Sequence, residues 1–343
     1  MGGFLRNGTW IHDDEWTTNK DGSFQREPTK FHDRAQRDSS ARFTVEPGRY
    51  HLFVSLACPW AHRSLLIRAL KGLESAIPIS VTNPVMGRDG WSFGAQADRP
   101  EPEPLLGKRF LREIYLEADP EFSGRATVPV LWDTKEHTIV NNESRQILRM
   151  LDVDFHALAR RKVCLYPNHL AKDVDRTIDA IYAPINNGVY RAGFANTQHA
   201  YEEAFDDLFA ALNHYDQLLE GQRYLCGEQL TEADLCLFTT LIRFDPVYYV
   251  HFKCNQRRLA DYRNLGGYVR ELYQLPHVAA VCDFNHIKQH YYRSHPAINP
   301  KALVPRGPDL SWLKQPHGRG HLAGGPPAEL YPPSKAWGVP TLH

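Results

Sequence analysis

The sequence predicts an α+β protein with two domains, a mixed domain of strands and helices followed by an all-helical one. Three observations favour this fold class. The 343 residues suffice for two domains at roughly 150 residues each. In residues 49–157 short apolar runs alternate with two helical stretches, whereas residues 170–292 show helical spacing alone. The composition, with 42% hydrophobic and 23% charged residues, is typical of a globular chain.

Charge and hydropathy exclude two classes of partner. Lysine plus arginine and aspartate plus glutamate number 40 each, so no net field would attract nucleic acid or an anionic membrane surface. No run approaches 18 apolar residues, so we expect no membrane-spanning helix. The first residues lack the apolar core of a signal peptide, and the six cysteines form no C-x-x-C pair. We therefore expect a cytoplasmic protein with reduced thiols.

The first elements surround a cysteine. Residues 1–48 are polar and show no sustained helical or strand period, so we interpret them as an N-terminal extension lying on the folded body. Residues 50–54 form a strand. A helix follows directly, beginning at Cys58 and ending at Lys71, where a glycine comes next. Residues 77–81 give a second strand, so the order is strand, helix, strand, with the cysteine on the turn before the helix.

The rest of the mixed domain contains an insertion and a hairpin. Prolines punctuate residues 83–112, which we interpret as an irregular insertion. Residues 128–132 and 137–140 flank a polar turn and predict a hairpin. Residues 142–144 then begin a helix that continues through Leu151.

The second half of the chain predicts helices followed by a tail. In residues 170–292 apolar side chains recur at helical spacing. Thr231 and Asp234 have the spacing of a helix-start capping box, in which each side chain bonds the backbone N–H of the other. Residues 293–343 are rich in proline and predict a tail without an interior of its own.

Cys58 is the strongest candidate for chemistry. A thiol in the first turn of a helix lies among unpaired N–H groups that stabilise the thiolate, so we expect its pKa to be lowered, to roughly 3.5–7.5. Pro59 suits this turn, where its missing N–H costs nothing. The alternative is an inert buried cysteine. Ala61 occupies the position of the second cysteine of a dithiol motif. An external thiol, in a reducing cytoplasm mainly glutathione, would therefore release any Cys58 adduct.

Two further positions fit a site for a peptide with carboxylates. Val128 precedes Pro129 where a strand–turn–helix thiol fold would place a cis-proline, which presents the backbone of Val128 for pairing with a peptide. Glu143 and Ser144 at a helix start could bind the amino and carboxylate ends of a γ-glutamyl group. The alternatives are an ordinary strand-start proline and a simple helix cap.

A metal site is not expected. His286 and His290 lie one helical turn apart, but no glutamate adjoins the first histidine and no third ligand is near in sequence.

These residues together resemble a known family. The sequence is similar to the glutathionyl-hydroquinone reductases, the xi class of glutathione transferases, over nearly everything up to about residue 308. Besides the Trp-rich extension, the similar segments are residues 49–52, 58–63, 90–93, 127–133, 141–144, 186–194, 241–245 and 294–295.

The resemblance implies a thioredoxin-like domain followed by an all-helical glutathione-transferase domain, with Cys58 as the catalytic nucleophile. It implies glutathione as co-substrate, no metal and a homodimer. The residues that match glutathione-binding positions of the family are Trp91, Arg125, Val128, Glu143 and Ser144. Tyr190 and Tyr291 match the phenols that bond the aromatic substrate, with Tyr292 as the neighbouring alternative to Tyr291; buried aromatic packing is the other interpretation of both phenols.

The expected reaction is reduction of a small-molecule glutathionyl-hydroquinone to the hydroquinone through a Cys58–glutathione disulfide. Two alternatives stay open at this point. An omega-like thiol transferase or dehydroascorbate reductase would need Cys58 and the glutathione site without the two phenols. A non-catalytic interaction module would need no reactive thiol.

Overall fold

The computed structural model describes residues 3–12 and 18–331, and its sheet domain has the predicted element order. Strand β3 (Tyr50–Val54) leads into helix α1 (Pro59–Lys71) and strand β4 (Ile79–Val81). Strands β5 (Val130–Asp133) and β6 (Thr138–Asn141) precede helix α3 (Ser144–Val153). The four strands form one sheet in the order β4-β3-β5-β6, parallel between β3 and β4 and antiparallel elsewhere. Helices α1 and α3 pack against each other.

The N-terminal extension contains regular structure that the sequence analysis did not predict. Strands β1 (Gly3–Arg6) and β2 (Thr9–His12) form an antiparallel hairpin. Its turn is Asn7-Gly8, and both residues have positive φ, as a tight hairpin turn requires. Leu5 exchanges backbone hydrogen bonds of 2.8 Å with Gly124 in both directions. The prediction of an extension without strand structure was therefore wrong at residues 3–12, where the Asn-Gly dipeptide was the overlooked signal.

The insertion is irregular except at its end. Between β4 and residue 110 the described chain forms turns and isolated bridges. Helix α2 (Leu111–Ala118) then begins inside the segment predicted to be irregular. Its start is fixed by Glu113, whose carboxylate accepts hydrogen bonds from the N–H groups of Arg109 and Phe110 at 2.7 and 2.9 Å. This acidic side chain near the N-terminus of a helix also interacts favourably with the helix dipole.

The second half of the described chain is helical, as predicted. Its helices are α4 (Ala171–Ile181), α5 (Gly188–Gly193), α6 (Gln198–Gly221), α7 (Glu232–Leu241), α8 (Tyr249–His251), α9 (Arg263–Gln274) and α10 (Phe284–Ser294). Every residue of α7 is buried. At its start the Asp234 carboxylate accepts from the Thr231 N–H at 2.8 Å, which is one of the two bonds of the predicted box. Within the described residues no helix combines the length and apolarity needed to cross a bilayer.

The two halves of the chain share a packed boundary, because α1 lies against α7. The limits that the sequence analysis set at residues 157 and 170 stay a prediction. The described part of the C-terminal tail also packs on the helices. Arg319 in this tail is 4% exposed and bonds the Glu271 carboxylate at 3.0 Å and the carbonyl of Leu219 at 3.0 Å. The tail therefore uses the core of the helical half instead of having one of its own.

A buried ion pair joins α1 to α3, and its loss should destabilise the fold. Lys71 donates from Nζ to the carboxylate and carbonyl of Asp152 at 2.8 and 2.7 Å, and both side chains are almost fully buried. The Asp152→Ala change would leave a buried ammonium without its carboxylate. We expect a loss of about 3–5 kcal/mol in the free energy of unfolding, measured by urea denaturation. The control is Asp173→Ala, which removes an exposed ion pair and should cost under about 1 kcal/mol. Equal losses would contradict this role of the buried pair.

Candidate active site

Cys58 lies at the start of α1, as the sequence predicts. It is the N-cap residue, with extended backbone dihedrals of −74° and 123°, and its carbonyl accepts the first helical hydrogen bond from His62 at 3.0 Å. The side chain is half-buried. Its thiol lies 3.6 Å from the carbonyl oxygen of Val128, to which it donates. The turn before α1 thus presents the sulfur to the loop that precedes β5.

The pKa of the Cys58 thiol is shifted in the direction opposite to the sequence expectation. Burial raises the pKa, because removing water penalises the thiolate. The backbone N–H groups of Ala61 and Trp60 oppose this shift, as do the charges of Arg243 and Arg26. The sequence analysis considered only the favourable N–H groups and left out the cost of desolvation. The predicted lowering of the Cys58 pKa was therefore wrong.

One pocket brings together six of the eight candidate residues. They are Cys58, Trp91, Arg125, Val128, Tyr190 and Tyr291. Glu143 and Ser144 lie outside its wall at the start of α3. The Glu143 carboxylate accepts from Thr29 Oγ1 at 3.2 Å, and Thr29 does line the pocket. Glu143 also caps α3 by accepting from the Arg145 N–H at 3.2 Å, so the simple cap considered from the sequence is present. Ser144 is buried and accepts from Arg63 at 3.2 Å.

Trp91 is held by a histidine that the sequence analysis considered only as a metal ligand. The rings of Trp91 and His290 stack with centroids 4.7 Å apart and planes inclined by 22°. Burial lowers the pKa of His290 to about 3, so its ring is neutral and donates from Nδ1 to the Pro84 carbonyl at 2.9 Å. In the described ranges, no three histidine, cysteine or acidic side chains are grouped so that they could hold a metal ion.

Three phenols form a hydrogen-bonded chain beside the pocket. The hydroxyl oxygens of Tyr190 and Tyr291 are 2.6 Å apart, and those of Tyr291 and Tyr248 are 3.0 Å apart. Burial raises the pKa of all three, so they stay protonated at neutral pH. Tyr292 donates instead to the Pro246 carbonyl at 3.2 Å, so Tyr291 is the member of the pair that lines the pocket. The sequence analysis missed Tyr248, which is far from both partners in the chain.

The N-terminal extension supplies another wall of the pocket. Residues 25–30 line it. The Arg26 guanidinium lies 4.8 Å from the ring centre of Tyr190 and 4.9 Å from that of Trp60. Its Nε donates to Asn187 Oδ1 at 2.9 Å. Sequence reasoning placed the extension on the folded body but gave none of its residues a part in the site.

Comparison with known proteins agrees with this arrangement of fold and pocket. The models of the N- and C-terminal domains of glutathione S-transferase match residues 57–153 and 198–271. Glutathionyl-hydroquinone reductase YqjG of Escherichia coli is 47% identical over 92% of this chain and 98% of its own. Glutathionyl-hydroquinone reductase PcpF of Sphingobium chlorophenolicum is 46% identical over 89% of this chain and 96% of its own.

Solved structures agree with the sequence comparison. The xi-class glutathione transferase of Natrialba magadii has a TM-score of 0.88 at 49% identity, covering 94% of this chain and 98% of that one. The glutathione-bound structure of YqjG has a TM-score of 0.81 at 47% identity, covering 92% and 99%. The chain therefore belongs to the xi class of glutathione transferases, the family of the glutathionyl-hydroquinone reductases.

The buried His290 should make the stability of the protein depend on pH. Its pKa in the folded protein, about 3, is below the ordinary value of 6.5, so the unfolded chain binds the extra proton. Stability should therefore fall as the pH decreases from about 6.5 towards 3. The His290→Gln variant should show a shallower fall, by at most about 1.4 kcal/mol per pH unit, in urea denaturation between pH 7 and 4.5. The slope for a variant of the exposed His199 should match that of the wild type; an unchanged slope in the His290 variant would contradict a neutral buried ring.

Proposed function

We propose that this protein reduces glutathionyl-hydroquinones to hydroquinones, with glutathione as co-substrate. One observation carries the proposal: a helix-start cysteine and two hydrogen-bonded phenols line the same pocket. The cysteine supplies a nucleophile for sulfur, and the phenols supply donors for an oxygenated ring. The similarity to the glutathionyl-hydroquinone reductases YqjG and PcpF supports the same activity.

The glutathione part of the substrate would lie along one side of this pocket. The Cys58 thiol lies 3.6 Å from the Val128 carbonyl, so the backbone of Val128 that would pair with the tripeptide is beside the sulfur. Trp91 would pack on the peptide, and Arg125 would offer its cation to a carboxylate. Glu143 and Ser144 would bind the γ-glutamyl end from the start of α3, next to Thr29.

The reaction consists of two exchanges at sulfur. The Cys58 thiolate attacks the sulfur of the thioether, the bond from sulfur to the ring carbon breaks, and that carbon gains a proton. The products are the hydroquinone and a disulfide between Cys58 and glutathione. The thiolate of a second glutathione then attacks the glutathione sulfur of this disulfide, which releases oxidised glutathione and regenerates the Cys58 thiolate. The thioether is thus reduced to the hydroquinone, and the glutathione of the conjugate and one added glutathione thiol end as one disulfide.

The first exchange needs acid catalysis at the ring. The electron pair of the broken bond stays with the aromatic carbon, which is a poor leaving group unless the ring is protonated or tautomerised. Tyr190 and Tyr291 are protonated at neutral pH and can hold the hydroxyl groups of the substrate while a proton is delivered. Tyr248 bonds Tyr291 and adds a third hydroxyl to this group. We therefore expect conjugates of rings without hydroxyl groups to be poor substrates.

The test of the nucleophile is Cys58→Ser, assayed with a glutathionyl-hydroquinone and glutathione by chromatography of the products. Reductase activity should be lost, because the other five cysteines, all within the described residues, do not line this pocket. Wild-type protein given substrate without excess glutathione should carry one glutathione adduct, located on Cys58 by mass spectrometry. The matched control is Cys164→Ser, which removes an exposed thiol and should keep full activity. Full activity in the Cys58 variant would overturn the mechanism.

The test of the two phenols compares two substrates. Tyr190→Phe and Tyr291→Phe should each slow hydroquinone release about tenfold, since one phenol can partly replace the other, and the double variant should approach the 10²–10⁴-fold range of general acid catalysis. Reduction of a small mixed disulfide should change little, because a thiolate leaving group needs no ring protonation. The control is Tyr292→Phe, which leaves the phenol chain intact. Equal losses on both substrates would show that the tyrosines are structural. That result would favour an omega-like thiol transferase, which does not need the two phenols.

The location and the assembly of the protein are proposed from its thiols and from its family. We propose a cytoplasmic protein, because all six cysteines are free thiols, which a reducing compartment preserves. We propose a homodimer from membership of the family alone, and light scattering of the purified chain measures it directly.

A further inference from the structure

An arginine from the helical half of the chain binds the loop that carries Cys58. Arg243 lies two residues after the end of α7, and its side chain is fully buried. Its Nε donates to the carbonyl of Ala57 at 2.7 Å, and Nη2 donates to the carbonyl of Leu56 at 3.1 Å. These are the two peptide carbonyls that immediately precede Cys58. The guanidinium therefore fixes the backbone of the turn from which the thiol projects.

The remaining nitrogen of Arg243 joins this loop to two helices. Nη1 donates to the carbonyl of Thr239 in α7 at 2.7 Å and to Nδ1 of His62 in α1 at 3.0 Å. Because a guanidinium only donates, His62 accepts at Nδ1 and carries its proton on Nε2. Burial and the charge of Arg243 lower the pKa of His62 well below its usual value, which keeps the imidazole neutral. One buried side chain thus connects α7, α1 and the thiol loop.

Among the described residues, the hydrogen bonds of Arg243 go to three backbone carbonyls and to His62, and none goes to a carboxylate. Two other buried arginines do have a carboxylate partner, Arg49 with Asp133 at 2.6 Å and Arg319 with Glu271 at 3.0 Å. The buried Arg63 instead bonds the neutral side chains of Ser144 and Asn186. A buried charge without an opposite charge is costly, and carbonyl dipoles offset only part of that cost. An anion forming close to the guanidinium would therefore be stabilised in this water-poor environment.

We infer that Arg243 is a positioning residue for Cys58: its buried guanidinium fixes the loop that carries the thiol and supplies the positive charge opposite which the thiolate forms. The inference rests on the proposed role of Cys58 as nucleophile. Burial raises the pKa of the Cys58 thiol. Arg243 opposes this rise and is first among the charged groups that lower the pKa.

Among the other titratable groups around Cys58 and Arg243, Arg26 adds a smaller charge effect, whereas Tyr190, His286 and Cys282 are neutral at pH 7. Arg26 also faces Cys58, but it is half-buried in the pocket wall and held by one hydrogen bond, to Asn187. Tyr190 faces the thiol as a protonated phenol. On the side of the guanidinium, burial lowers the pKa of His286 to about 4 and raises that of Cys282 to about 12, so both are neutral at pH 7.

The test is the pH profile of alkylation of Cys58 by iodoacetamide in the full-length protein, followed by mass spectrometry of the Cys58 peptide. Arg243→Gln removes the charge and Arg243→Lys keeps it with fewer donors. The Gln variant should be alkylated about tenfold more slowly than wild type at pH 8, corresponding to an upward shift of about one pH unit, whereas the Lys variant should stay within about threefold. Arg319→Gln is the matched control, since it removes a buried arginine of the C-terminal tail whose described hydrogen bonds do not reach this loop; its profile should match wild type.

Each outcome decides the inference. An unchanged profile in the Gln variant, or equal slowing in the Gln and Lys variants, would show that the charge has no part in thiolate formation. If the Gln variant does not fold, as judged by circular dichroism, the Lys variant decides: a profile close to wild type supports the inference and a tenfold slowing overturns it. Alkylation requires no hydroquinone, so this result is independent of whether the proposed reductase activity is found.

Discussion

Desolvation of the Cys58 thiol is the constraint on which the rest of the site depends. The sulfur lies at the start of α1 but is enclosed by the loop before β5, by the N-terminal extension and by helices from the second half of the chain. Enclosure removes the water that would stabilise an anion, and the pKa of the thiol rises accordingly. In an open site water would stabilise the thiolate. Here the helix-start N–H groups and the nearby arginines supply that stabilisation. A reactive thiol in such a place is therefore a property of the whole fold and not of one turn.

Local signals in the sequence were enough to locate the main elements and to place the candidate nucleophile, Cys58, at a helix start; its catalytic role stays a prediction. A proline directly after Cys58 and apolar residues at helical spacing are short-range patterns, and the structure reproduces the strand, turn and helix that they predict. The same is true of the helix that begins at Ser144. The bond between Val128 and Pro129 is cis, which agrees with one of the two interpretations that the sequence left open there.

The parts that sequence reasoning missed depend on contacts between distant segments. Tyr248 reaches Tyr291 across 43 positions of the chain, and Arg243 reaches Ala57 across 186. A sequence pattern within a window of a few residues cannot predict contacts between such distant positions. Arg26 is similar, because the extension that contains it has too little periodicity to show where it will lie. The resemblance to a family supplied Tyr190 and Tyr291 without the hydrogen bond that joins them, which only the packed structure reveals.

The described end of the chain has a consequence for how the helical half unfolds. Arg319 donates to backbone carbonyls at the end of α6, including those of Gln222 and Arg223, and to the Glu271 carboxylate of α9. Carbonyls at the end of a helix otherwise lack partners, so this single side chain serves as a cap supplied from outside the helix. Detaching the tail would leave several buried acceptors unsatisfied at once. The tail and the two helices therefore form one cooperative unit, and slow amide exchange should extend into a segment whose proline-rich sequence would otherwise be taken for a loose end.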